Sequence, residues 1–198
     1  MTAALNLTSS ELQDKEDWTV DDLASLPKGL RYELVDGRLI SPSPTALHQE
    51  FCLELVLMLR AGECPPDHRP IFDMSIEINR SNEPRPDVVV IEKRYATRSP
   101  VPVAGALLVV EVVSPTSHFR DMHAKTKVYA AAKVEAYWVI DPAFEKGVAL
   151  TEFRLDDSGV YEVITNTDKV FTTDVPYPVT IDLPALTALR DELRAAAD

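Results

Sequence analysis

The stretch Ala106–Asp141 constrains the fold of this chain more than any other, because a carboxylate stands in the middle of an otherwise apolar strand. Ala106–Val113 is apolar at every position except Glu111. An ionised acid inside an apolar layer is costly unless a cation, a proton or hydrogen bonds compensate its charge. A Ser-Pro-Thr-Ser turn follows at 114–117. It leads into a helical segment, Ser117–Ala132, with Lys125 and Tyr129 on one stripe, and then into a second apolar run, Ala136–Ile140. Strand, helix and strand in that order read as a βαβ-like unit.

Upstream, Thr19 and Asp22 mark a helix start, with Thr19 as cap, and the helix Val20–Leu26 stops before Pro27. Arg31–Val35 and Arg38–Ile40 flank Asp36-Gly37, the signal of a two-residue hairpin turn. Within the first of these strands, Glu33 shares a face with Arg31 and Val35, opposite Tyr32 and Leu34. The run Ser41–Thr45 breaks the chain and caps a long helix over Ala46–Arg60. Leu47, Phe51, Leu55, Val56 and Leu59 recur there at helical spacing. Ile71–Ile78 alternates and predicts one half-exposed strand; Pro86–Ile91 predicts a buried one, and Lys93–Pro102 a basic connector. Past Pro142, Gly147–Arg154 and Val160–Thr165 predict a meander of exposed strands around a turn at Asp156–Gly159. A strand near Val179–Ile181 and a terminal helix Pro184–Ala197 follow. Residues 1–17 are acidic and aperiodic, which predicts a disordered or loosely held tail and leaves 18–198 as a single domain.

Asp87 and Glu111 each lie in an apolar β run. Two carboxylates on neighbouring strands repel, and a cation between them removes the conflict. Mg²⁺ suits such a place, since it takes oxygen ligands and is held by one or two carboxylates plus substrate phosphate. The alternative is that each acid sits at a strand edge or pairs with a base such as Arg85. Lys125 favours the first reading. Glu111 lies about 10 Å back along its strand from Ser114. Lys125 lies about 12 Å along a helix that starts near Ser117. A helix folded back over the sheet therefore brings Lys125 level with Glu111. Lys127 points elsewhere, to the surface.

The segments Arg85-Pro-Asp87, Val109–Ser117, Arg120-Asp121, Lys125, Tyr129 and Glu135–Pro142 together resemble the Uma-two family of endonucleases, within the PD-(D/E)XK restriction-endonuclease-like superfamily. Arg31–Gly37 and His48 match the family pattern as well, so the resemblance covers roughly Val20 to Leu189. It implies an α/β fold, with a restriction-endonuclease-like central mixed sheet flanked by helices and a C-terminal antiparallel meander. It further implies a Mg²⁺-dependent phosphodiesterase site, with Mn²⁺ as a substitute. Carried over by position, Asp87 and Glu111 bind metal. The superfamily lysine normally stands two residues after the second acid, but position 113 is Val, and the resemblance implies that Lys125 replaces it from the following helix. Glu33 and His48 are further candidates. Glu33 completes the metal site from the hairpin, or Glu50 or Glu54 does so from the long helix; a cross-strand pair with Arg38 is the plain alternative for Glu33. His48 contacts phosphate or relays a proton, unless it only hydrogen-bonds near its helix start.

Charge sets the main constraint on partners. Asp and Glu number 32 against 20 Lys and Arg, a net of −12, which disfavours nonspecific nucleic-acid binding. Arg80–Lys133 is locally basic, nine Lys/Arg against five Asp/Glu, so one face can still meet a polyanion. The expected substrate is a nucleic acid, DNA favoured, cut by a metal-dependent endonuclease. A catalytically silent interaction module and hydrolysis of a small phosphoester are the rival readings. No run spans a bilayer, and two isolated cysteines fit a reducing cytoplasm. Exposed strand edges after Asp141 predict a homodimer.

Overall fold

A computed structural model describes residues 15, 17–23, 26, 31–113 and 121–196. The tail expected over 1–17, apart from residues 15 and 17, lies outside the described residues, as do Ser114 and His118. In chain order the elements are α1 Val20–Leu23, β1 Glu33–Val35, β2 Arg38–Ile40, α2 Ala46–Ala61, β3 His68–Phe72, β4 Ile76–Glu77, β5 Val88–Glu92, β6 Val101–Pro102 and β7 Ala106–Val112. Then come a π-helical turn Asp121–Lys125, α3 Thr126–Ala131, β8 Ala136–Asp141, β9 Ala149–Leu155, β10 Tyr161–Thr167, β11 Phe171–Thr173, β12 Val179–Ile181 and α4 Leu183–Ala195.

Six strands form one mixed sheet in the order β10-β9-β8-β7-β5-β3. Only β7 and β8 run parallel, as their crossover requires; the other neighbours are antiparallel. Alternation along β7 divides the core. Leu108, Val110 and Val112 face the layer of α2 and α4, where Phe51, Leu55, Leu59 and Leu186 are buried. Val109 and Val113 face the other layer, with Tyr129, Tyr137 and Val139. Glu111 has the parity of Val109, so the one acid of the strand points at α3. Each large apolar side chain buried in these layers contributes about 1.5–3 kcal/mol.

The α2 helix starts where the Thr45 hydroxyl accepts from the His48 N–H at 3.2 Å. At α1 the Asp22 carboxylate takes hydrogen bonds from the Thr19 N–H and hydroxyl, both at 2.8 Å. Lys15 and Thr19 hold the Asp22 carboxyl down at about 2, against an ordinary 3.8. A depressed carboxyl stabilises the fold above its unfolded value and loses that contribution as pH falls through its folded value. Acid titration followed by NMR is therefore expected to show α1 loosening between about pH 4 and pH 2, an effect absent in Asp22→Asn.

Several sequence expectations need correction. The single strand over Ile71–Ile78 is two elements broken at Asp73, whose backbone is left-handed at φ 58°. A left-handed aspartate costs about 1–2 kcal/mol. The surroundings enforce it: the Asp73 carboxylate binds both Arg31 and Arg85, and its N–H donates to the Asp87 carbonyl at 3.0 Å. Beyond the break, β4 leaves the main sheet and pairs with β6. The helix over Ser117–Ala132 is a π turn followed by α3, with 114–120 outside the described residues. The meander is exposed only in part. β9 is largely buried because it completes the main sheet beside β8, whereas β10 forms the edge with Val163 and Ile164 exposed. β11, which the sequence did not announce, pairs with β12. α1 is described over Val20–Leu23, with residues 24–25 of the expected helix outside the described residues; α4 starts one residue before the expected Pro184, and the expected end at Ala197 lies outside the described residues.

Candidate active site

Three separate parts of the chain bring acids to the end of the central sheet. Glu111 is built into β7 and is 2% exposed. Asp87 immediately precedes β5. The β5–β7 register pairs Val88 with Val110, so one further step sets Asp87 beside Glu111. The Val112 N–H donates to Asp87 Oδ2 at 2.7 Å and pins the carboxylate there. Glu33 arrives from the hairpin. Positive φ at Asp36 and Gly37 makes the tight turn, and Leu34 exchanges backbone hydrogen bonds with Glu83. That anchorage lays Glu33 against the Arg85 N–H, which donates to Glu33 Oε2 at 3.3 Å.

Lys125 closes the group. Its Nζ lies 2.9 Å from Glu33 Oε2 and 2.9 Å from Glu111 Oε2, and all three side chains are buried. Tyr129, one turn further on, donates its hydroxyl to Glu111 Oε1 at 2.8 Å. The i, i+4 stripe of Lys125 and Tyr129 thus converges on one carboxylate. Glu33 stands opposite Ile40 in its ladder while Arg38 stands opposite Val35, so the cross-strand pair with Arg38 does not form. Lys127 is exposed.

The opposite wall belongs to α2. His48 Nε2 lies 3.2 Å from Asp87 Oδ1, and His48 Nδ1 lies 3.6 Å from the Cys52 sulfur. Ligand-type atoms of His48, Cys52 and Asp87 all fall within 4.8 Å of one another. Sequence reasoning missed Cys52, although its i, i+4 spacing from His48 on a helix was there to be read.

Over residues 19–183 the sequence matches the family model Uma2, described as "Putative restriction endonuclease". The chain belongs to the Uma2 family. A solved structure from Anabaena variabilis ATCC 29413, described as a putative nuclease belonging to DUF820, superposes with a TM-score of 0.67 at 16% identity. The match covers 87% of this chain and 98% of that one, and at such identity it shows the shared fold. No curated protein matches the chain.

In this Uma2 member the acids and His48 border a cleft of about 710 Å³, whose described lining includes Glu33, His48, Asp87, Glu111 and Lys125 and neither Glu50 nor Glu54. Exposure is graded within it. Asp87 and His48 keep 22% and 17% of their side chains accessible, whereas Glu111 and Lys125 form a nearly dry floor. Burial drives the Glu111 carboxyl well above its usual range; Lys125 opposes that, and the charges of Asp87 and Glu33 reinforce it. Burial works against a charged His48, yet its hydrogen bond and proximity to Asp87 outweigh it, so the imidazole holds its proton above its ordinary value. Burial, then the negative charges of Asp87 and Glu111, push the Cys52 thiol up, so it stands beside His48 as a neutral S–H.

Proposed function

We propose that this Uma2 member is a divalent-metal-dependent endonuclease that hydrolyses nucleic-acid phosphodiesters, with DNA the favoured substrate and Mg²⁺ or Mn²⁺ at Asp87 and Glu111. The observation that carries this reading is the charge imbalance at the cleft floor. Two carboxylates, Glu33 and Glu111, share the one lysine while the charge of Asp87 lies close by, and Glu111 is pushed towards protonation even with Lys125 at 2.9 Å. A divalent cation relieves such an excess. The donor set fits a hard metal, because a carboxylate oxygen that accepts one hydrogen bond has a second lone pair available. When bound, the metal supplies a water of lowered pKa and neutralises phosphate charge.

The side chains have separate tasks in this proposal. Asp87, held by the Val112 N–H and flanked by His48, presents a fixed carboxylate to the accessible part of the cleft. Lys125, clamped between Glu33 and Glu111, is the buried positive charge that orients the attacking water and offsets the charge growing on the phosphorus oxygens. Glu33 acts through Lys125 as a positioning residue. His48 adds a proton-bearing group beside Asp87 that can face a phosphate oxygen. Both cysteines are free thiols, in keeping with the cytoplasmic location we assign. The exposed edge strand β10 is the surface we assign to a homodimer.

Cleavage of plasmid and of labelled single-stranded and duplex oligonucleotides is the test. Cutting is expected with Mg²⁺ or Mn²⁺ and is expected to stop in excess EDTA. Glu111→Gln, which keeps the shape of the side chain but removes its charge, is expected to lower the rate by about 10²–10³-fold. Cutting that persists in EDTA would reject the mechanism.

A further inference from the structure

The mouth of the same cleft carries an aromatic ring and two arginines that the proposed hydrolytic chemistry does not use. Phe72 ends β3, the edge strand of the main sheet, and is 45% exposed although it lines the cleft. Its neighbour in the chain is the left-handed Asp73. The two carboxylate oxygens of Asp73 each hold one guanidinium: Oδ2 binds Arg31 and Oδ1 binds Arg85. Arg85 also donates to Ser75 at 3.1 Å and is largely covered, whereas Arg31 leaves 55% of its side chain accessible. Two guanidiniums on one carboxylate leave this group of three side chains with a formal excess of positive charge. Phe72 and Arg31 both line the cleft, and Arg31 is oriented by the Asp73 carboxylate, the residue next to Phe72 in the chain.

We infer that this part of the cleft is a nucleotide subsite in which an unpaired base stacks on Phe72 and the adjoining phosphate is held by Arg31, so that the substrate is a single strand or a locally opened duplex. The inference rests on the nuclease reading for its substrate class and adds the form of that substrate. Stacking on an aromatic ring combined with a nearby cation is how proteins hold unpaired nucleotides without reading sequence. A cleft of about 710 Å³ has the size of a small-molecule pocket and can take one unstacked nucleotide. The net charge of −12 agrees, because a duplex held by its backbone needs a broad basic surface, whereas stacking does not.

The test is fluorescence anisotropy of a labelled oligothymidylate and of a labelled duplex of the same length, in EDTA and again in Ca²⁺. Wild type, Phe72→Ala, Phe72→Tyr and Arg31→Gln are compared after a thermal melt of each shows that it is folded. Wild type is expected to prefer the single strand. Phe72→Ala is expected to weaken single-strand binding about tenfold, with little change for the duplex, and Phe72→Tyr to restore it. Arg31→Gln is expected to flatten the dependence of log K on log salt by about 0.7. Equal binding by wild type and Phe72→Ala, a preference for duplex, or no single-strand binding in either ion condition would each overturn the subsite. Cleavage by the same proteins, measured separately in Mg²⁺ or Mn²⁺, keeps the two readings apart. Metal-dependent cutting that is indifferent to Phe72 leaves the nuclease and removes the subsite. Phe72-dependent binding without cutting leaves the subsite and removes the nuclease.

Discussion

Lys125→Met is expected to lower the stability of the metal-free protein by about 3–5 kcal/mol, the usual result of removing one partner from a buried ion pair. The methionine fills nearly the same volume, so the effect is electrostatic. Glu33 and Glu111 are then left facing each other without their shared cation, both almost fully buried. At 198 residues each kcal/mol shifts the midpoint by about 2–4 °C, so the loss reads as roughly 6–20 °C in a thermal melt. The variant also has a distinctive pH dependence. Without Lys125 to oppose it, burial raises the Glu111 carboxyl further, and the folded state keeps a proton that the unfolded chain releases near pH 4.5. A group raised in the fold contributes stability below its unfolded value and loses it as pH rises towards its folded value. The gap between variant and wild type is therefore expected to be widest at alkaline pH and to narrow on acidification towards pH 5. A gap that does not change with pH would mean that packing, and not charge, explains the loss.

Asp87→Asn is expected to behave in the opposite way, with small structural cost and large functional cost. The amide oxygen can still accept from the Val112 N–H, so stability should change by about 1 kcal/mol or less. The negative charge is gone, however, and with it the accessible metal ligand of the proposed site. Metal-dependent cleavage is expected to fall by about 10²–10³-fold or more, with no recovery on raising Mg²⁺ moderately. The contrast between the two substitutions separates a lysine that holds the cleft floor together from an acid that serves the proposed chemistry.

The parts of this arrangement visible in the sequence are those written in local periodicity. The run around Glu111, the stripe of Lys125 and Tyr129, and the Asp-Gly hairpin each follow from spacing within a few residues. They place the parallel β7–β8 pair and the Lys125–Glu111 contact. The parts that were not visible depend on residues far apart. Asp73 breaks an alternating strand because Arg31 and Arg85 hold its carboxylate, and no pattern within Ile71–Ile78 signals that. β9 alternates like a half-exposed strand, yet the main sheet buries much of it, because Trp138 and its neighbours on β8 need a partner on that side. Glu33 could not be assigned between Arg38 and the site until the hairpin had been laid against Glu83 and Arg85. The π turn at Asp121–Lys125 gives no sequence signal distinct from an ordinary helix start.

Thermal unfolding of wild type and Asp87→Asn, each with and without Mg²⁺ or Mn²⁺, tests the central claim most directly, because it reads metal binding whether or not the right substrate is present. A ligand at a hundred times its Kd adds about 2.7 kcal/mol. Wild type is therefore expected to melt roughly 5–10 °C higher with metal, and Asp87→Asn to melt at the same temperature with and without it. Equal shifts in both proteins, or a shift in neither, would contradict a metal site at Asp87 and Glu111 and leave the fold as an interaction module without this chemistry.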